Sequence, residues 1–342
     1  MKRTEGPQVA PGKSTGALAS LVAAAAAITL VACSPPSDTP ETPDTPQTPR
    51  EPASQAAAEQ TTTANDVYRF TIGDFDAVAL RDGGLEVPND GKVFAIDRSP
   101  EDVAALLTAA GLPSDHLSLS IQPLLVRTAD RVLLFDTGAG ANFGGAGGKL
   151  PASMAAAGID PADVTDIFIS HTHGDHIGGL VSADGALAFP NATIHISSPE
   201  WEFFEGMPAE TGSAAGDTQH AALIAAITPK IAEFAPGADI LPGVVKAVEI
   251  RGHTPGHSGY LISSGQESLL YIGDAMHHPV VSVQRPDWTI AFDSDAPTAE
   301  ASRKALLARS ADSGQRIYAV HFPFPGLGKI ARVDGGFEWV PE

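Results

Sequence analysis

Three of this chain's eleven histidines fall within six residues, His171-Thr172-His173-Gly174-Asp175-His176. At the chain's own histidine frequency, an H-x-H-x-D-H string arises by chance in roughly one chain per thousand. Neutral imidazoles and carboxylates are the ligands that zinc and similar divalent ions take. A tight turn would aim His171 and His173 one way and Asp175 and His176 another, so one loop could serve two adjacent ions. A solvated polar turn whose histidines cap backbone groups is the competing interpretation. The rest of the chain decides between them.

His253 follows the apolar run 247–250, Asp274 follows 268–273, His321 follows 316–320, and His171 itself follows 166–170. Each run is short, rich in β-branched or aromatic residues and bounded by turn chemistry, so each predicts a buried strand. Every candidate ligand then stands just past the carboxyl end of a strand. Loops of a helix-covered sheet converge into a site along that edge. Scattered core histidines have no reason to keep this phase; a metal site does. No protein nucleophile competes with it, because the chain has no G-x-S-x-G elbow and only one cysteine, Cys33.

The elements that must position these residues begin late. Lys2, Arg3 and Lys13 precede an almost unbroken apolar stretch at residues 17–32, which reads as a signal segment. It is shorter than the roughly twenty residues of a spanning helix. Leu30-Val31-Ala32-Cys33 resembles the lipobox of bacterial lipoproteins, which implies cleavage before Cys33, acylation of Cys33 and a lipid-anchored protein of the cell envelope. Ser34 after that cysteine suggests sorting to the outer membrane, facing the periplasm; an ordinary secretory signal with an incidental Cys33, and hence a periplasmic protein, is the alternative. Residues 33–63, with their Thr-Pro repeats, offer no apolar face and read as an extended tether. A catalytic body of residues 64–342 remains, long enough for one large domain. Net charge is −20, and about −22 once Lys2, Arg3, Lys13 and Glu5 are removed with the leader. Such an acidic surface disfavours nucleic acid, whose phosphates need basic patches.

Within the body, strand-like runs appear at Val67–Ile72, Phe75–Leu80, 117–126 and 131–136. Helices are expected from Ser99-Pro100-Glu101-Asp102 toward Gly111, and at 152–158, 219–235 (interrupted by Pro229) and 298–313. Strands and helices alternate in two rough halves, which predicts an α/β arrangement of two face-to-face sheets with helices outside both.

With its motifs in view, the chain resembles the metallo-β-lactamase superfamily. The carriers are His171 to His176, Gly252-His253-Thr254-Pro255-Gly256-His257, Gly273-Asp274 and the late His321, over residues from about 66 to 340. Phe135-Asp136-Thr137-Gly138 is similar to that superfamily's early strand-end motif, whose aspartate supports the site without ligating. The resemblance implies an αβ/βα four-layer sandwich with the metal site at one edge of the two sheets. Residues 273–278 and 321–326 look like the branch that holds methyl parathion hydrolase with related lactonases and arylesterases. The small-lactone quorum-quenching enzymes often carry tyrosine at the third position after the bridging aspartate; this chain has His277.

Carried over residue by residue, the resemblance puts one ion on His171, His173 and His253. A second falls on Asp175, His176 and His321, with Asp274 bridging. Zinc leads the candidates, followed by manganese, cobalt and iron. Two such ions share a hydroxide at near-neutral pH, and with Asp175 and Asp274 they leave a net charge of about +1, suited to an oxyanion. The expected activity is hydrolysis of a lipophilic lactone or aryl ester, with an organophosphate triester as an accompanying substrate. Asp175, Asp274 and His277 are the catalytic candidates, His277 by touching substrate or passing a proton to the leaving group. His257 is open between orienting a neighbour and plain core packing; His116, His195, His220 and His278 default to surface or core. The glycine-rich stretch 138–148 lacks a phosphate-loop pattern and reads as a rim with Phe143 as an apolar contact. Trp201, Phe203 and Phe204 are open between pocket lining and helix core. A β-lactamase, another thioester hydrolase of this fold, and a non-catalytic metal-binding lipoprotein are the rival functions. A homodimer is expected only by analogy with the branch.

Overall fold

The structure, a computed structural model, describes residues 66–142, 145–207 and 214–342. The expected signal segment, Cys33, the tether and Phe143 lie outside them. Among the described residues no helix is long and apolar enough to cross a membrane.

In chain order the elements are β1 (Val67–Ile72), β2 (Phe75–Leu80), β3 (Gly83–Pro88), α1 (Pro100–Ala109), β4 (His116–Ile121), β5 (Leu124–Arg127), β6 (Val132–Phe135), α2 (Leu150–Ala156), β7 (Asp166–Phe168), α3 (Gly174–Ile177), β8 (Thr193–Ser197), α4 (Ser198–Gly206), α5 (Ala214–Ile227) and β9 (Ile231–Phe234). The second half continues with β10 (Asp239–Leu241), β11 (Val245–Glu249), β12 (Ser258–Ser264), β13 (Glu267–Tyr271), α6 (Val281–Gln284), α7 (Ala296–Ser313), β14 (Arg316–Tyr318), β15 (Leu327–Val333) and β16 (Gly336–Pro341). One seven-stranded sheet runs β1-β2-β5-β6-β7-β8-β9 and a second runs β10 through β16 in order. A separate hairpin pairs β3 with β4.

Period-two alternation sorts the side chains into layers. Leu133 and Phe135 of β6 face the second sheet while Leu134 faces outward; Leu269 and Tyr271 of β13 face the first sheet while Leu270 faces outward. The inner faces meet over aromatic rings, with Phe135 stacked on Phe168 at 4.9 Å and Tyr271 on Tyr318 at 5.7 Å. Met154 of α2, Trp201 and Phe204 of α4 and Ile227 of α5 cover the outer face of the first sheet. Val283 of α6 with Leu306 and Leu307 of α7 cover that of the second. Helix, sheet, sheet, helix is the expected αβ/βα sandwich. α1 starts as its sequence predicts, at a Ser99 cap whose Oγ accepts from Asp102 N–H at 3.2 Å, and packs on the β3–β4 hairpin.

Parallel pairing joins β6 to β9 in the first sheet, from its middle out to one edge, and β13 with β14 in the second. Parallel neighbours end on the same edge, so the loops after β7 and β8, and those after β13 and β14, emerge side by side.

Two sequence expectations are corrected. The run 117–126 is two strands, not one: Gln122-Pro123 breaks it, and β4 joins the hairpin while β5 joins the first sheet. Proline cannot donate to a ladder, and the Gln122 side chain instead donates to Ala319 O and Phe322 O at 3.0 and 2.9 Å. The helix expected over 219–235 ends at Ile227; Pro229 sits in a short 3-10 turn, and the four residues after that turn form β9. The aromatic residues 201 and 204 are core of the first helical layer, which closes the pocket alternative for them.

Asp166, at the start of β7, is buried and accepts from Arg131 Nη1 at 2.9 Å, Thr165 Oγ1 at 2.7 Å and His195 Nε2 at 2.8 Å. Burial alone would raise its carboxyl, but these three donors hold it down to about 2, against an ordinary value of 3.8. A depressed carboxyl stabilises the fold fully above its unfolded value and loses that contribution as pH falls through the folded one. Asp166→Asn is therefore expected to cost about 1–3 kcal/mol at pH 7. By denaturant unfolding, the gap to the parent should close between pH 4 and pH 2; a gap unchanged at pH 2 would assign the effect to packing.

Candidate metal centre

β7 delivers its chain through Ile169 and Ser170 to His171, and α3 begins three residues later. His173 caps α3, its carbonyl accepting from His176 N–H and Ile177 N–H at 3.0 and 3.2 Å. That single helical turn sends Asp175 and His176 away from His171 and His173, the two-way aim the spacing predicts. His171 Nε2 lies 3.0 Å from His173 Nδ1, and His253 Nε2 lies 2.9 Å from the same atom. Asp274, just past β13, completes the group: its Oδ2 is 3.6 Å from His171 Nε2 and 3.2 Å from His253 Nε2. Its other oxygen, Oδ1, is 3.2 Å from His176 Nε2 and 3.0 Å from His321 Nε2. Asp175 Oδ2 is 3.6 and 3.5 Å from those same two nitrogens. Two clusters thus form, His171–His173–His253–Asp274 and Asp175–His176–His321, each with donor atoms within 4.8 Å of one another.

The donor atoms fit divalent cations. Two imidazoles on one tetrahedral zinc, each at about 2.0–2.1 Å, hold their nitrogens about 3.3 Å apart, close to the separations seen. His176 Nε2 and Asp274 Oδ1 are buried and make no hydrogen bond, a cost that a native site accepts where another group satisfies them. Burial, with the neighbouring His176, holds His171 well below its ordinary value. Burial together with His253 brings His173 down to about 3. Both rings are neutral with lone pairs available. At His253 burial again opposes charge, but Asp274 and Asp293 prevail and raise it to about 9.

Outer partners fix the rings of His176, His321 and His257. His176 Nδ1 donates to Asp136 Oδ2 at 2.7 Å, and Asp136 also accepts from Ser170 N–H, Ser170 Oγ and Tyr271 OH at 2.6–2.7 Å. To reach all four donors Asp136 adopts φ +56°, rare for a residue with a Cβ. It touches neither cluster with a free oxygen, matching its expected supporting part. His321 Nδ1 donates to Ser120 O at 2.7 Å. His257, open in the sequence, donates from Nδ1 to Ile250 O at 2.8 Å and accepts from Asp274 N–H at Nε2 at 2.9 Å; it orients the backbone of Asp274. His278 accepts from Val280 N–H and Val281 N–H, and His195 serves Asp166, so neither enters the centre. His116 and His220 likewise stay outside, on Asp115 and on Phe204 O.

His277 does enter. Its buried Nε2 is 3.1 Å from Asp274 Oδ2, and its ring stacks on His321 at 5.6 Å. Neither ring nitrogen makes an aligned hydrogen bond. Phe292, 44% exposed, stands 6.4 Å from that ring, and Phe94 meets it edge-on at 6.2 Å.

Sequence reasoning passed over Glu200. Fully buried, it accepts from Thr172 N–H and Oγ1 at 2.8 Å each with one oxygen, and from Thr254 Oγ1 and Gly256 N–H at 2.6 and 3.0 Å with the other. It brackets the loop of His171 and His173 to the loop of His253. Gly256 has no room for a side chain: a Cβ there would fall 2.2 Å from Glu200 N. The lone acid between Pro199 and Trp201 on an otherwise apolar helix face was the available signal. Asp82 was missed too; it accepts from Ala139, Gly148 and Leu150 N–H at 2.7–3.0 Å and pins both ends of the glycine-rich stretch.

Glu200→Ala strands four buried donors at once. It should cost about 3 kcal/mol or more of stability and loosen retention of added zinc in a chelator competition; unchanged stability with unchanged retention would refute the bracket.

Comparison with known proteins agrees with this geometry. A family model described as the metallo-beta-lactamase superfamily matches residues 120–321. "AidC, a Dizinc Quorum-Quenching Lactonase", solved with N-hexanoyl-homoserine product, is 33% identical, covering 81% of this chain and 97% of its own, with a TM-score of 0.74. "Hydrolase AbOPH in beta lactamase superfamily" is 30% identical over 82% of this chain and 99% of that one, with a TM-score of 0.73. "Probable metallo-hydrolase Rv2300c" of Mycobacterium tuberculosis is 27% identical over 194 residues, 47% of this chain and 58% of that protein, so the chain spans little more than half the length of this relative. With the family model spanning more than half of its residues, this chain belongs to the metallo-β-lactamase superfamily.

Proposed function

We propose that this protein is a two-ion hydrolase that opens lactones or cleaves aryl esters. The observation that carries the reading is the split of Asp274, one oxygen facing each cluster. His171, His173 and His253 would hold one ion, Asp175, His176 and His321 the other, with Asp274 between them. Two divalent ions so held supply Lewis acidity and a water that deprotonates near neutral pH.

The protein's own part is to fix, shield and steer. Asp136, Glu200 and His257 hold the cage rigid, so donor atoms need no reorganisation as the reaction proceeds. His277 lies against the cage, its Nε2 3.1 Å from Asp274 Oδ2 and its Nδ1 without a hydrogen bond, positioned to hydrogen-bond a substrate oxygen or pass a proton to the departing alkoxide or phenolate. Phe292 offers an exposed phenyl face beside it. Ile96, 45% exposed, stands on the segment that pairs with residues 289–291. These apolar groups suit an acyl chain or aryl ring. The lactonase similarity at 33% identity supports a lactone among the substrates, and the sequence likeness to the methyl parathion hydrolase branch supports aryl esters and organophosphate triesters. Such a lipophilic substrate also fits a lipid-anchored protein facing the periplasm.

Protein loaded with zinc, manganese or cobalt is expected to turn over dihydrocoumarin, acyl-homoserine lactones or p-nitrophenyl esters, with methyl paraoxon slower and nitrocefin untouched. His173→Ala should abolish that turnover and lower bound metal. Hydrolysis of nitrocefin alone would move the protein to β-lactamase chemistry; no turnover of any of these, with metal bound, would favour a non-catalytic role.

The anchor is tested separately. Expressed in a bacterium fed radiolabelled palmitate, the full chain should carry label and sediment with membranes. Cys33→Ser should do neither, and a labelled Cys33→Ser protein would sink the lipobox reading.

A further inference from the structure

His253 is backed differently from the other rings of the centre. His171 Nδ1 faces a hydroxyl, Ser170 Oγ, at 3.1 Å, and His321 Nδ1 faces a carbonyl. His176 faces Asp136, which three other donors share. His253 Nδ1 instead lies 3.0 Å from Asp293 Oδ1, and Asp293 Oδ2 accepts from Arg303 Nη2 at 3.2 Å. The carboxylate and guanidinium are 2% and 1% exposed. Arg303 Nε is itself held, donating to Pro286 O at 3.2 Å. Burying both charges is expensive and adds little net stability compared with apolar packing.

The surroundings make the pair rigid. Arg303 lies on α7, beside Leu306 and Leu307, which pack on the second sheet. The start of α7 is zipped to the His253 loop: Ser294 N–H donates to His253 O at 3.0 Å and Asp295 N–H to Gly252 O at 2.9 Å. Gly252, at φ +120°, presses so close that a Cβ would fall 2.1 Å from Ala299 N.

We propose that the Asp293–Arg303 pair is the device that sets the tautomer and aim of His253, and so controls retention of the ion in the His171–His173–His253 cluster rather than the ion beside Asp175. Asp293 accepts a hydrogen bond from Nδ1–H, which keeps the proton on that nitrogen and leaves the Nε2 lone pair toward the cluster. Arg303 cancels the charge of Asp293 and stops that carboxylate from rotating away. Both are positioning residues that act through His253. This inference rests on the two-ion reading above.

The test titrates metal-stripped full-length protein with zinc against a chromophoric chelator, resolving two binding constants. In Asp293→Asn one constant should weaken by about 10–100-fold while the other stays within about threefold, and Arg303→Lys, which keeps a charge opposite Asp293, should fall between that variant and the parent. Asp166→Asn is the control: its carboxylate, histidine and arginine have the same chemistry away from the centre, so it should lose stability and keep both constants. Parent protein that takes up two ions, with Asp293→Asn keeping both constants or weakening both alike, overturns the inference. Parent protein that takes up fewer than two overturns the two-ion reading beneath it.

Discussion

One buried carboxylate placed between two sets of imidazoles governs this molecule. Asp274 has an oxygen within 3.2 Å of His253 on one side and of His176 and His321 on the other. Burial would raise its carboxyl, yet the surrounding rings, His176 and His321 foremost, hold it well below the usual carboxylate range. A buried charge shared in this way is tolerable only with its neighbours held in place. The sandwich exists, in effect, to bring separate loops to that point and keep them there.

The sheets supply the convergence and three acids supply the stiffness. Parallel pairing of β6 to β9 and of β13 with β14 sends the loops bearing His171, Asp274 and His321 out of one edge. Asp136 then joins the first strand end to His176 and, across the interface between sheets, to Tyr271. Glu200 joins the His171 loop to the His253 loop, and Asp293 joins His253 to α7. Each of these acids is buried, and each accepts from elements far apart in sequence. Loss of one disturbs a junction, not only a contact.

The seven candidate ligand residues were legible because metal chemistry needs particular side chains at particular spacings, and their four loops follow short apolar runs that read as buried strands. The four layers were legible for the same reason. Of the three supporting acids, Asp136 was legible through the motif Phe135-Asp136-Thr137-Gly138, and the other two were not. Glu200 and Asp293 have ordinary local surroundings, and their value arises only when distant loops meet. The boundary errors have equally specific causes: Pro123 splits one apolar run between two sheets, and Pro229 turns a helical pattern into a strand. His257 could not be assigned from sequence because its two partners, Ile250 O and Asp274 N–H, are backbone atoms that leave no trace in residue type. Beyond the ligands, the structure adds an exposed phenyl face at Phe292 beside the imidazole of His277.

The most direct measurement of the central claim is anomalous diffraction, at the absorption edge of the bound metal, from crystals of the loaded protein. The account predicts two peaks about 3.5–4 Å apart, flanking Asp274 with one carboxylate oxygen toward each. A single peak, or two peaks of which only one touches Asp274, would contradict it.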